Sequence, residues 1–281
     1  MSLSDAVGPD APDPYELLSW YAEMGVTEAL DETPRDHFTD PVPAGERGGG
    51  QPRLRPLPGR PSAPVRPIAA AATAPDDATV SAKAMAREAR TLDELKTALA
   101  GFEGCALKAT AKNLVFADGN PQARLMLVGE APGRDEDIEG KPFVGRSGKL
   151  LDRMLAAIGI DRTGCYIANV VPWRPPGNRT PTPQETAICL PFIRRQIELT
   201  NPDVLVCLGG PSAQTLLGIR DGITKARGRW MEYDTGRRVI PALATFHPAY
   251  LLRSPLGKRM AWRDMLAIET RLAGVPERAP D

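Results

Sequence analysis

Three side-chain types stand where they could act together: carboxylates after one apolar run, an asparagine inside a second, and a histidine after a third. The first run, Leu125-Met126-Leu127-Val128, leads through Gly129 into Glu130-Ala131-Pro132-Gly133-Arg134-Asp135-Glu136-Asp137. Four apolar residues without alternation suit a strand covered on both faces, and Gly129 and Gly133 give the backbone the freedom a sharp exit needs. Carboxylates there would sit at the carboxyl edge of a parallel sheet, where ligands of open α/β sheets bind. A solvated loop or a helix N-terminus would read the same way. Asn169 interrupts Ile167-Ala168-Asn169-Val170-Val171. Unpaired in a buried strand, its carboxamide would cost roughly 1–3 kcal/mol, so it needs a partner. That partner is either backbone or the polar edge of a ligand, to which the amide offers both donors and an acceptor. His247 follows the third run in Thr245-Phe246-His247-Pro248, and the only other histidine is His37. An imidazole at a strand end suits proton or hydrogen-bond chemistry near neutral pH, the alternative being a structural histidine.

Between the acidic turn and Asn169 lies Gly140-Lys141-Pro142-Phe143-Val144-Gly145-Arg146-Ser147-Gly148-Lys149, too rich in Gly and Pro for a simple core element. Phe143 there either anchors the loop or, if exposed, stacks on a flat ring. Free N–H groups at a helix start near Ser147, beside Arg146 and Lys149, would form a phosphate cradle. No GxxxxGK[ST] string is present, which counts against a P-loop nucleotidase.

The elements that must position these groups alternate between strand and helix. After the first strand the pattern predicts a helix over 147–158, a strand over 165–171, and a long helix over 183–199 entered through Thr182. There follow a strand over 204–208, a short helix over 211–217, a strand over 239–246 and a final helix from about 256 to 272. This order implies an α/β fold, a three-layer α/β/α sandwich on a central, mainly parallel sheet of about four strands. Upstream, Thr91-Leu92-Asp93-Glu94 forms a capping box for a helix ending at Gly101, preceded by a helical stretch from about Ala78. Residues 13–25 predict a short helix with Asp13 as cap and Pro14 in its first turn. Thr33 to Asp77 is dense in Pro, Gly and Ala and reads as a flexible linker. The expected organisation is a short N-terminal helical segment over 1–32, a linker over 33–77 and the folded domain over 78–281.

The net charge of zero over 281 residues hides an asymmetry: residues 121–265 are net positive and the remainder net negative. A basic body with an acidic extension suits phosphate binding. No apolar run is long enough to span a bilayer and no secretory pattern opens the chain, so no membrane association and a cytoplasmic location are expected. The four cysteines, Cys105, Cys165, Cys189 and Cys207, form no CxxC pair, which argues against a disulfide framework or zinc ribbon. Cys165 and Cys207 fall in strand-like runs and read as small buried hydrophobes.

Four segments together look like a family-4 uracil-DNA glycosylase: Gly-Glu-Ala-Pro-Gly at 129–133, Gly-Lys-Pro-Phe-Val-Gly-Arg-Ser-Gly at 140–148, the Asn169 strand with Arg-Pro-Pro-Gly-Asn-Arg at 174–179, and His-Pro-Ala-Tyr-Leu-Leu-Arg at 247–253. The resemblance covers roughly residues 105–270. It implies a DNA-repair enzyme, monomeric, that flips deoxyuridine out of single- or double-stranded DNA and hydrolyses its N-glycosidic bond, leaving an abasic site. It places Glu130 in the water-activating motif and makes Glu130, Asp137 and His247 the catalytic set, leaving open which of Glu130, Glu136 and Asp137 dominates. Gly129, Ala131, Glu136, Phe143, Asn169 and His247 would form the uracil pocket. In it His247 donates to O2, Asn169 reads N3–H and O4, Phe143 stacks on the ring, and Glu136 lines the place a thymine methyl would need. Arg146, Ser147, Lys149, Arg174, Arg179 and Arg253 would meet DNA phosphates, with Leu251 or Leu252 as an apolar wedge and the other in the core. Two other readings remain. A uracil-DNA binding protein that forms a covalent adduct would carry an added histidine and basic insert, which Leu243-Ala244-Thr245-Phe246-His247 lacks. A non-catalytic DNA-binding module would use the acidic turn only structurally.

The chain departs from that family at the metal. Typical members hold a four-iron four-sulfur cluster on four cysteines, and only Cys105 and Cys189 match; the other two places are Lys108 and Trp173. Lysine is a cation when solvated and tryptophan has no lone pair to give, so no cofactor is expected. Trp173 should fill volume, and Lys108 should turn toward solvent or DNA phosphate. Protein purified without oxygen should therefore be colourless and active. Near-stoichiometric iron and acid-labile sulfide with a brown colour would overturn that expectation.

Overall fold

The computed structural model describes residues 75–274. The helix predicted over 13–25 lies outside them, as does the expected linker except for residues 75–77, which are helical. Helix α1 spans Pro75–Glu88, so it begins three residues before the predicted Ala78. Helix α2, Leu92–Gly101, is capped by the Thr91 hydroxyl, which accepts the Glu94 N–H at 3.1 Å. Glu94 completes the cap one residue further out than the motif implies, on the Arg90 N–H.

Then follow β1 (Asp118–Gly119), β2 (Leu125–Gly129), α3 (Arg134–Glu139), α4 (Arg146–Ala156), β3 (Cys165–Asn169) and α5 (Pro183–Thr200). The chain continues through β4 (Val204–Leu208), α6 (Gly210–Leu217), α7 (Ile223–Ala226), β5 (Trp230–Asp234), β6 (Val239–Thr245), α8 (Pro248–Arg253) and α9 (Lys258–Ala273). The strands form one six-stranded sheet in the order β1-β3-β2-β4-β6-β5. Its inner four strands are parallel and its two edges antiparallel, so the expected parallel core of four carries an extra strand on each side.

Alternation along the strands builds the three layers. Leu125 and Leu127 pack with Leu151 and Leu155 of α4 and Met265 and Ile268 of α9, while Met126 and Val128 pack with residues of α1, α2 and α5. Both faces are covered, which is why β2, β3 and β4 are buried throughout. Helix α5 starts where its sequence signals: Thr182 accepts the Glu185 N–H, Glu185 returns a bond to the Thr182 N–H, and Pro183 occupies the first turn. Among the described residues no helix is long and apolar enough to cross a membrane.

Parallel pairing carries every inner strand toward the same edge. Gly129 lies opposite Asn169 in the β2–β3 register, and β4 and β6 end at Leu208 and Thr245. The residues that follow these ends, Glu130 and His247, therefore share one crevice with Asn169.

Candidate active site

At that edge a cavity of about 190 Å³ is lined by Glu130, Glu136, Phe143, Asn169, Thr180 and His247, with Ala131, Gly133, Ser147, Asn178, Arg179 and Ala249 at its margins. Gly129 lies beneath it. A Cβ at Gly129 would come within 2.4 Å of Asn169 Oδ1 and 2.8 Å of the Phe143 ring, so only glycine lets both side chains approach the strand end. Phe143 is buried, not exposed, and its φ of 55° turns the ring into the cavity, 5.4 Å from the His247 ring at 30°. Its carbonyl lies where a Cβ of Gly148 would stand, 1.7 Å away, so that glycine is required for the loop to close on α4.

Asn169 is 5 % exposed, and neither Oδ1 nor Nδ2 has a hydrogen bond among the described residues; the same holds for Glu130 Oε1. Burial pushes the Glu130 carboxyl above its usual range, and a hydrogen bond from Thr180 offsets part of that shift. His247 caps α8: its Nδ1 accepts the Ala249 N–H at 3.1 Å. A nitrogen that accepts carries no proton, so the neutral ring is protonated on Nε2. Burial, with Arg253 adding like charge, lowers the His247 pKa to about 4. Near neutral pH the site therefore offers an uncharged N–H donor, a carboxamide with both ends open, and a desolvated carboxylate.

Glu136 and Asp137 of the same turn have structural partners. Glu136 accepts N–H bonds from Gly133, Val144 and Gly145, tying α3 to the Phe143 loop. Asp137, expected among the catalytic groups, does not line the cavity. Its Oδ1 accepts the Lys112 and Asn113 N–H groups and its Oδ2 lies 4.0 Å from Arg174 Nη1. Sequence reading missed Arg162, which donates to the carbonyls of Pro142 and Phe143 and pairs with Asp118 and Asp152. It lies in the short turn that leads into β3, between the second and third motifs, and nothing local signals that role. Thr180, also missed, directly follows the Arg179 of the third motif.

Of the residues expected on DNA, Ser147 and Arg179 reach the cavity, Arg179 held by two bonds to Glu185 at 2.7 and 2.8 Å. Arg146, Lys149 and Arg253 are exposed, and Arg174 bonds Asn178 at 2.6 Å. Leu251 is not available to DNA. At 1 % exposure it packs with Phe246 and Ala261, while Leu252 on the opposite side of α8 is 40 % exposed.

The cluster positions hold a different kind of chemistry. Cys105 and Cys189 are buried with their Sγ atoms 3.9 Å apart, and Trp173 is buried in the same core layer at 2 % exposure. Lys108 turns neither to solvent nor toward phosphate: it donates to the Ala100 carbonyl at 2.6 Å, at the C-terminal turn of α2, and pairs with Glu103. A cation there complements the helix dipole. Two thiols without further donors do not fit a cubane cluster, and no group of three His, Cys, Asp or Glu residues among the described residues could hold a metal ion.

A doubly covered, mainly parallel sheet with a polar crevice at its carboxyl edge, floored by glycine and walled by an aromatic ring, defines an α/β protein with its cavity at the strand ends. The chain belongs to the uracil DNA glycosylase superfamily, whose family model matches residues 116–266. It is 48 % identical over 151 residues to a Type-4 uracil-DNA glycosylase of Thermotoga maritima, covering 53 % of this chain and 77 % of that protein. It is 42 % identical over 168 residues to the Type-4 uracil-DNA glycosylase of Archaeoglobus fulgidus, covering 58 % and 84 %. Over 190 residues it is 36 % identical to the Saccharolobus solfataricus protein of the same description, covering 66 % and 88 %.

An amide held without partners should weaken the fold it serves. Asn169→Leu, close in shape, is expected to raise stability by about 1–3 kcal/mol while abolishing ligand recognition. Denaturant unfolding checks this, and a destabilised variant would show that the amide is already satisfied.

Proposed function

We propose that the cavity at Glu130, Phe143, Asn169 and His247 receives the base of a flipped-out deoxyuridine. The chain is a DNA-repair glycosylase: it hydrolyses the N-glycosidic bond between uracil and deoxyribose in DNA and leaves an abasic site. The observation that carries this reading is the unpartnered Asn169 amide, which lines the same cavity as His247 and the Phe143 ring.

Breaking the bond builds positive charge on the sugar and negative charge on the departing uracil. His247 donates from Nε2 to uracil O2. The bond strengthens as O2 gains charge, so the imidazole acts as a neutral electrophile and need not give up its proton. Asn169 accepts from N3–H and donates to O4, an arrangement that cytosine, with an amino group at C4, cannot meet. Phe143 stacks on the ring. Glu130 orients the attacking water and opposes the developing charge on the sugar; its raised pKa makes it a stronger base than a solvated carboxylate. Glu136 and Asp137 hold the loops that carry these groups, so Glu130 is the carboxylate of the mechanism. Arg146, Lys149, Arg179 and Arg253 meet phosphates, and Leu252 is the wedge. All of these groups come from one chain, which suits a monomer, and no step uses a metal or cluster: packing around Trp173 and the Lys108 contacts takes that structural place.

Release of free base from a uracil-containing oligonucleotide tests the reading, with covalent adduct scored on the same gel. Base release without adduct is expected, and adduct accumulation would favour a binding protein. Asn169→Asp should lower uracil excision by at least about 100-fold and shift preference toward cytosine, because the carboxylate replaces the donor to O4. Unchanged selectivity would remove Asn169 as the reader.

A further inference from the structure

A second cavity, of about 260 Å³, lies between α4, α8 and α9. Its walls are apolar, including Met154, Leu251 and Met265; Trp262 stands at its edge with 43 % of its surface exposed, beside Arg153 and Lys258, and no carboxylate lines it. Two elements lead to it from the uracil cavity. Helix α4 opens beside that cavity, with Ser147 of its first turn in the lining, and Arg146, Lys149 and Arg153, spaced three and four residues apart, share one of its faces. Helix α8 starts at His247 and carries Leu251 into the second cavity's wall. None of Arg146, Lys149, Arg153 and Lys258 forms an ion pair among the described residues.

We propose that this cavity takes the base of a second nucleotide of the same DNA strand, stacked on Trp262, with neighbouring phosphates met by Arg153 and Lys258. Cations without carboxylates suit a polyanion, and an exposed aromatic beside a positive track is the arrangement that holds single-stranded nucleic acid. The helical paths fix the spacing. Six residues of helix advance about 9 Å, and a strand that keeps its duplex-like stacking advances about 3.4 Å per nucleotide. The stacked base therefore lies about two to three nucleotides from the deoxyuridine. The proposal rests on the uracil reading only for that register.

The test is a ladder of single-stranded oligonucleotides extended one nucleotide at a time, first on the 5′ and then on the 3′ side of one deoxyuridine. Excision is read as kcat/KM, and affinity is read separately by anisotropy on uracil-free strands of the same lengths. Both should step up by about fivefold or more when the second or third nucleotide is added on one side. Trp262→Ala should lose the step and Trp262→Phe keep most of it, with the loss confined to the longer strands. A ladder without a step, as expected if the cavity is kept for a protein segment, would overturn the proposal. So would a step that survives Trp262→Ala, or a Trp262→Ala defect equal at every length, which would mark a structural role. Affinity that steps with length and depends on Trp262, with no base released from any strand, would sustain this proposal and defeat the excision reading instead.

Discussion

The β2–β3 register places Gly129 directly opposite Asn169 at the ends of two parallel strands, and the rest of the site depends on that pairing. A slip of one residue would turn Asn169 to the other face of the sheet and bury its amide in the apolar layer, where nothing could use it. The register is held from both sides, because Leu125 and Leu127 must meet one layer while Met126 and Val128 meet the other. Glycine at 129 then keeps the strand end low enough for the Asn169 amide and the Phe143 ring to close over it. The packing that stabilises the sheet thus also sets the recognition geometry.

Water exclusion gives these groups their chemistry. Burial lowers the imidazolium of His247 and raises the carboxyl of Glu130, each shift favouring the uncharged form. His247 in the folded chain takes up a proton only near pH 4, against 6.5 for the unperturbed group. Between those values the unfolded chain binds the proton and the folded one does not. The contribution of the neutral ring to stability is therefore complete above about pH 6.5 and is lost as pH falls toward 4. The loops around the cavity are held by charge-assisted bonds to backbone, from Glu136 on one side and Arg162 on the other, so the groups stand in place before a base arrives.

Much of this was legible in the sequence because it rests on local rules. The apolar run before Glu130, the asparagine inside an apolar strand, the Thr182-Pro183 helix entry and the four motifs each signal through neighbouring residues. Other features depend on packing between distant segments and carry no local signal. Edge strands β1 and β5 are short or half-exposed and lack a clear apolar alternation. The six-residue α8 is too short to show a helical period in the sequence, although Pro248 suits its first turn. The rotation of that helix sends Leu251 to Phe246 and Leu252 to solvent, a difference that two adjacent leucines do not show in the sequence. Asp137 reads as catalytic from its motif, yet its partners lie on the loop at 112–113. Lys108 found the C-terminal turn of α2, which spacing alone does not bring near it.

In the proposed reaction His247 meets the base as a neutral ring with its proton on Nε2. Histidine-labelled protein followed by nitrogen NMR reads both properties directly, and with only two histidines in the chain, a His247→Ala spectrum assigns the signals. The expected result is an Nε2–H tautomer that persists through neutral pH and titrates only near 4. A ring that titrates near 6.5, or one protonated on Nδ1 at neutral pH, would contradict it.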